Sequence, residues 1–309
     1  MRAASIVSLG SKSTSVRSDE LNRFPNAVGV RWTSLQLLSS FAPSWAARWA
    51  ARIFLTPPAP RPLSRKARDL FARADDRFTV KLETAFGGQQ ETSGVHVALW
   101  GRGPAVYFLH GWGGRASQWI SFVEPVVAAG LTAVVLDAPG HGDSRAPRTS
   151  ILHFAAALAA VVESVGPARG VVGHSLGGDA CALALRRGLE TKSAVLIGTP
   201  ADPVQFFRQF LQDVGVHERL HGFIRADVER RYGFRWSDLA VRAPVATPEL
   251  PALVVHDRAD TDVRYEDADR IVRAWPSATL FPTHGLGHQR ILRDRTVVER
   301  VVSFLGDHR

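Results

Sequence analysis

From residue 104 onward the chain alternates short, unbroken apolar runs with helical segments, and this alternation limits its fold more than any other feature. The runs are 104–109 (PAVYFL), 131–136 (LTAVVL), 169–173, 193–198 (SAVLIG), 251–256 (PALVVH) and 277–282. Two further strands are predicted at 78–84 and 95–100. An apolar run without polar alternation marks a strand buried on both faces, which is the condition of a parallel sheet covered on both sides. Helical patterns at 115–129, 151–164, 176–188, 264–274 and 289–305 supply the cover. The expected fold class is α/β, a mostly parallel sheet with helices on both faces.

The alternation breaks once. About fifty residues separate the strand ending at 198 from the one starting at 251, and they read as helices (PVQFFRQFLQDVG and ERLHGFIRADVERRYG). An insertion between two sheet strands must sit on the sheet's rim, where it suits a small helical lid, at about 201–246, over a site at the strands' carboxyl ends.

Charge separates the rest of the chain from this body. The net charge is +9, and residues 1–68 hold all of it, with eleven Arg/Lys against Asp19 and Glu20. The remaining 27 basic residues balance 27 acidic ones, so the body has no excess charge to recruit nucleic acid. Residues 1–30 are expected to be a disordered basic tail, 31–77 a helical extension and 78–309 the folded domain. No apolar run suits a signal peptide or a membrane span. With Cys181 the only cysteine, no intrachain disulfide can form, and a reducing, cytoplasmic setting is expected.

Within the extension, Trp45, Trp49 and Ile53 recur at helical spacing beside Arg48 and Arg52. Residues 35–55 then have two readings. One is a weak peripheral membrane contact, with indoles at the headgroups. The other, which is favoured, packs the tryptophans on the domain while the arginines reach past them to water. The prolines of TPPAPRP end this helix.

The strongest chemical signal is Gly173-His174-Ser175-Leu176-Gly177. It follows an apolar strand and opens a helix, the context in which a tight turn holds a serine hydroxyl above the sheet. A serine needs a base oriented by a carboxylate. Two later strands run into such residues, Asp257 and Asp260 after one, His284 and His288 after the other.

With these residues in the order Ser, Asp, His, the chain resembles the α/β-hydrolase superfamily over roughly 78–309. The resemblance implies Ser175 as nucleophile, His288 as base and Asp260 as acid, with Asp257 standing where the family's His-Gly-x-x-x-Asp has glycine. Asp257 and Asp202 are the other candidates for the acid, and His284 is the other candidate for the base. The resemblance also implies an oxyanion hole of the backbone N–H groups of Trp112, after His110-Gly111, and Leu176. It assigns DAPGHGDS (137–144) a bracing role in place of metal binding, and has His110 and His174 support their turns. The Trp112 indole is either a wall of the acyl pocket or plain packing, and Cys181 is expected to be buried and inert.

The expected function is that of a serine hydrolase acting on a carboxylic ester or thioester, with no cofactor or metal. Phe206, Phe207, Phe210 and Phe223 of the lid point to an apolar acyl group. An acyltransferase with the same triad and a non-catalytic binding protein on the same scaffold are the alternatives.

Overall fold

The computed structural model describes residues 41–307 except 87, 214, 215 and 243–246. The tail expected at 1–30 lies outside the described residues, as does the start of the helix expected at 35–55.

Eight strands form one sheet: β1 (Asp76–Phe86), β2 (Gln89–Trp100), β3 (Ala105–Leu109), β4 (Thr132–Leu136), β5 (Ala168–His174), β6 (Ala194–Ile197), β7 (Ala252–Asp257) and β8 (Ala278–Thr283). Their order is β1-β2-β4-β3-β5-β6-β7-β8. From β4 to β8 every neighbour is parallel, whereas β1 pairs β2 and β2 pairs β4 antiparallel. Every residue of β4, β5, β6 and β7 is buried, which is why those strands read as unbroken apolar runs. β8 is an edge strand, half-exposed, and it tolerates Pro282 for that reason. The eight strands are the predicted ones. β1 and β2 run longer than predicted because they pair with each other as a hairpin whose polar far end carries no apolar run.

Helices cover both faces. On one side lie α4 (Ile151–Val165), α5 (Leu176–Arg186) and α8 (Glu266–Ala274); on the other lie α2 (Arg65–Ala72), α3 (Ile120–Ala128) and α10 (Arg295–Asp307). The helix predicted at 289–305 is broken. A short α9 (Gly287–Arg290) and a 3₁₀ turn precede Asp294, whose carboxylate accepts from the Val297 N–H at 3.0 Å and starts α10.

The insertion forms α6 (Pro203–Asp213) and α7 (His221–Tyr232), followed by a 3₁₀ turn at Trp236–Asp238. Helix α1 (Pro43–Leu55) packs directly on both of them. The three helices make one cap, two-thirds of it from the insertion and the rest from the opposite end of the chain.

The packing of α1 differs from expectation. Its buried face is Ala46, Ala47, Ala50 and Ala51, joined by Ile53 and Leu55. Trp49 is half-buried, and Trp45 points outward, 64% exposed, with the Arg48 guanidinium 4.0 Å above its ring. Alanines let the helix backbone approach its neighbours closely; a face with two indoles could not lie as near. Among the described residues no helix is long and apolar enough to cross a membrane.

β3 fixes the place of the site. It lies between β4 and β5, so the chain leaves it in one direction and returns on its other side. The loops after β3 and β5 therefore diverge and leave a crevice at the strands' carboxyl ends.

Candidate active site

Ser175 sits between β5 and α5 with φ 53° and ψ −126°, the only non-glycine residue of positive φ among those described. Such a conformation costs on the order of 1–3 kcal/mol and persists only where its surroundings enforce it. Here the Ser175 N–H donates to the Ile197 carbonyl at 2.9 Å, and its own carbonyl accepts from the Gly178 N–H at 2.9 Å. The flanking glycines are steric requirements. A Cβ on Gly173 would lie 2.5 Å from the Gly178 Cα, and one on Gly177 would lie 2.5 Å from the His110 carbonyl oxygen.

His288 and Asp260 meet. The imidazole Nδ1 lies 2.7 Å from Asp260 Oδ2, and both side chains are buried, that of Asp260 to 1% exposure. The other carboxylate oxygen accepts from the N–H groups of Asp262 (2.8 Å) and Val263 (2.9 Å). Burial pushes the Asp260 pKa upward, but the bonds from His288, Val263 and Asp262 outweigh it and hold the group below the usual carboxylate range. Nδ1–H is thus committed to Asp260, and Nε2 is left as the basic atom.

His288 also lies beside the nucleophile's turn. Its carbonyl accepts from His174 Nε2 at 2.9 Å, and the two rings are 4.6 Å apart between centroids. Gly198, directly after Ile197, is so close that a Cβ there would stand 3.2 Å from His288 Nδ1. His174 was expected to support its own turn; its bond instead ties the residue before Ser175 to the segment that carries the imidazole.

The remaining candidates for acid and base are elsewhere. His284 is exposed. Asp202 accepts from the Val204 N–H at 2.9 Å and caps α6. Asp257 is buried and does not touch the imidazole; it holds the turn that carries it. Its Oδ2 accepts from the Thr283 hydroxyl (2.7 Å) and the Leu286 N–H (3.0 Å), and its Oδ1 from the Ala259 N–H (2.9 Å). Burial opposes ionisation here as well, yet the bonds from Gly287, Thr283, Leu286 and Ala259 pull its pKa down to about 2. This clamp was not foreseen. Its sequence signal was the aspartate standing where the resembling family has glycine.

Across the crevice, the loop after β3 turns tightly, with the Gly114 N–H on the Gly111 carbonyl at 3.0 Å. A Cβ on Gly111 would come within 2.9 Å of the Ser175 Cβ, so Trp112 follows a residue in contact with the nucleophile. Leu176 is the first residue of α5, and its N–H has no acceptor within the helix.

Two buried histidines brace this loop. His110 Nε2 accepts from the Ala138 N–H at 3.0 Å, and Nδ1 donates to the Gly111 carbonyl at 2.8 Å. His141 Nε2 accepts from the Gly113 N–H at 2.9 Å, and Nδ1 donates to the Pro139 carbonyl at 3.2 Å. Burial lowers their pKa values to about 4 and about 3, so both are neutral and able to accept. Asp137 accepts from the Ala116 and Asp143 N–H groups at 2.7 and 2.8 Å. Among the described residues no three His, Cys, Asp or Glu side chains are arranged to hold a metal.

Above the crevice is a narrow cavity of about 50 Å³ whose wall is almost wholly apolar. Trp112 and Leu176 line it together with Phe206, Val228 and Trp236 of the cap and Ile151 of α4. The N-terminal helix closes it with Phe54 and Leu55. Phe54 stacks on the Trp112 indole (6.4 Å, 13° between planes) and touches the rings of Phe207 (4.8 Å) and Phe210 (5.0 Å). Beyond Leu55 the chain stays on the site: the Leu55 carbonyl accepts from the Thr149 N–H (2.8 Å), and the Arg61 carbonyl from Arg115 Nη1 (2.8 Å). Of the four lid phenylalanines expected to face the acyl group, Phe206 lines the cavity, and Phe207 and Phe210 are buried behind it. Phe223 is 42% exposed on the solvent side of α7. Helical spacing alone could not tell its two sides apart, because α7 carries no clear apolar stripe.

Comparison with known proteins agrees with this architecture. A family model described as "alpha/beta hydrolase fold" matches residues 104–280. The dihydrolipoyllysine-residue acetyltransferase component of the acetoin cleaving system from Cupriavidus necator is 35% identical over 109 residues, 34% of this chain and 28% of that protein. The pimeloyl-[acyl-carrier protein] methyl ester esterase from Methylococcus capsulatus is 34% identical over 109 residues, 35% of this chain and 42% of that protein. The matches therefore span less than half the length of these curated relatives. A solved esterase from Exiguobacterium antarcticum aligns with a TM-score of 0.54 at 18% identity, over 74% of this chain and 99% of the other.

Proposed function

Since the chain belongs to the α/β-hydrolase fold family, we propose that it is a serine hydrolase cleaving a carboxylic ester or thioester with an apolar acyl group. The observation that carries this reading is the Asp260–His288 bond of 2.7 Å, held against the turn of a serine in a forced backbone conformation. Ser175 Oγ attacks the carbonyl carbon while His288 Nε2 takes its proton. In this reading the tetrahedral oxyanion is met by the backbone N–H groups of Trp112 and Leu176, donors that act on charge appearing only in the intermediate. His288 then protonates the leaving alkoxide or thiolate as the C–O or C–S bond breaks, leaving an acyl-serine. Water, deprotonated by His288, releases the acid and restores the hydroxyl. Asp260 stays ionised throughout and stabilises the imidazolium. The residues that do this need no metal or cofactor.

The cavity favours an apolar acyl chain because almost no polar atom lines it, and an unpaired polar group buried there would cost on the order of 1–3 kcal/mol. An acyltransferase would use the same residues and differ in the acceptor. Adding an alcohol or thiol and measuring the share of acyl group it captures separates the two. Labelling with a fluorophosphonate probe tests the reading itself. Attachment to Ser175 is expected, with none in Ser175→Ala; labelling of another serine rejects it, and no labelling at all favours a binding protein.

A further inference from the structure

The outward side of α1 has no partner among the described residues, and its chemistry is that of an interfacial helix. Trp45, Arg48 and Arg52 follow at spacings of three and four residues, so they share one side of α1, and Phe41 stands two residues ahead of its start. All four are exposed, Phe41 to 85%. The alanine side already anchors the helix to α6 and α7, so packing does not account for an indole and a phenyl ring held in water. Four large apolar side chains are exposed among the described residues, and three of them, Phe41, Trp45 and Phe223, are on α1, its N-terminal end, and α7, its packing partner.

The charge around these rings has one sign. Across 41–55 and 203–242 nine arginines are exposed, and of the five acids only Glu218 and Asp238 are. Two of the nine, Arg230 and Arg231, pair with the buried Asp227; Arg48 and Arg52 stand beside the exposed rings. The forty residues preceding Phe41 add five basic groups against two acidic ones.

We propose that the cap docks on an anionic lipid surface through the outward side of α1. The Phe41 and Trp45 rings enter the headgroup layer, and Arg48 and Arg52 meet the lipid phosphates. An acidic protein would engage the arginines alone; exposed aromatic rings beside arginines match a surface that is apolar inside and anionic outside. The same helix turns Phe54 onto the cavity, so it stands between the lipid and the acyl pocket, and an apolar ester in the membrane lies on the cap's own side of the molecule.

The test is co-sedimentation of the full chain with phosphatidylcholine vesicles, with and without phosphatidylglycerol. Binding is expected only with phosphatidylglycerol, and added salt should release it. Arg48→Gln with Arg52→Gln should weaken the partition by roughly fivefold per arginine, and Trp45→Ser should weaken it further. These variants should unfold at the wild-type temperature and hydrolyse a soluble short-chain ester at the wild-type rate, since none of the changed side chains is buried or lines the cavity. Three outcomes overturn the proposal: no co-sedimentation, equal co-sedimentation with neutral vesicles, or undiminished binding of the triple variant, which would assign the binding to residues 1–40. Binding is read without turnover, so its failure leaves the hydrolase reading untouched.

Discussion

The strand ends beneath Ser175 and the cap above it are built by different means. Beneath, directional bonds fix nearly every group: Asp260 on His288, Asp257 on the turn after β8, His110 and His141 on the turn after β3. Above, aromatic rings pack on one another, with Phe54 at the centre of contacts to Trp112, Phe206, Phe207, Phe210 and Trp236. Hydrogen bonds hold atoms to within tenths of an ångström and are lost whole when broken. Ring packing tolerates exchange at a graded cost. Chemistry should therefore fail abruptly when the lower layer is changed, whereas the choice of substrate should shift gradually when the upper one is.

The sharpest break of that contrast is at the nucleophile. Ser175→Ala should lower kcat for an ester by roughly 10⁶-fold, with the fold and melting temperature kept. Next comes the acid. Asp260→Asn should lower kcat by about 10⁴-fold, because the amide favours the wrong imidazole tautomer. Asp257→Asn should cost far less, since that residue orients the turn and leaves Nδ1–H on Asp260. Steady-state kinetics on the two variants decide the order, and a reversed ranking would move the acid to Asp257.

A change in the cap should act differently. Phe54→Ala removes one wall of the cavity, so kcat/KM for longer acyl chains should rise relative to short ones, by roughly tenfold or more. Reactivity toward a small fluorophosphonate should stay near wild type. Phe54→Leu keeps much of the packed volume and should give the same trend with less loss of stability. A uniform fall across all chain lengths would mean that the helix supports the site without shaping the pocket.

The smallest expected effect is on stability in acid. Asp257 has a folded pKa of about 2, below its unfolded value near 3.9. The folded state therefore holds its charge more strongly, a stabilisation on the order of 2 kcal/mol that is complete above about pH 4. It is lost as the pH falls through 2. Thermal melts of Asp257→Asn should show the lower melting temperature at pH 6 and converge with wild type as the pH approaches 2.

The sheet and the polar layer were legible in the sequence for a local reason. A strand buried on both faces is mostly apolar, and a serine between strand and helix must be flanked by Gly173 and Gly177, so each left its mark within a few residues. Asp257 was visible as an oddity, but its use was not, because its partners Thr283 and Leu286 come from the next strand and turn. The cap was harder still. Ala46, Ala47, Ala50 and Ala51 give no hydrophobic signal to compete with Trp45 and Trp49, so Trp45 was expected to pack with Trp49 and Ile53, whereas only the latter two do. Phe54 offered no hint of its role, since its partners in the cap, Phe206, Phe207, Phe210 and Trp236, lie about 150 to 180 residues further along the chain.

That distance has a consequence for how the protein is made. A ribosome adds roughly 5–20 residues each second, so after α1 emerges, on the order of 10–30 seconds pass before α6 and α7 exist to receive it. Throughout that interval the nascent chain carries an apolar helix with nothing to lie against, while α2, β1 and β2 are completed behind it. The cap thus cannot close until most of the sheet has been synthesised, and the serine's compartment takes shape only when α1 meets helices made much later.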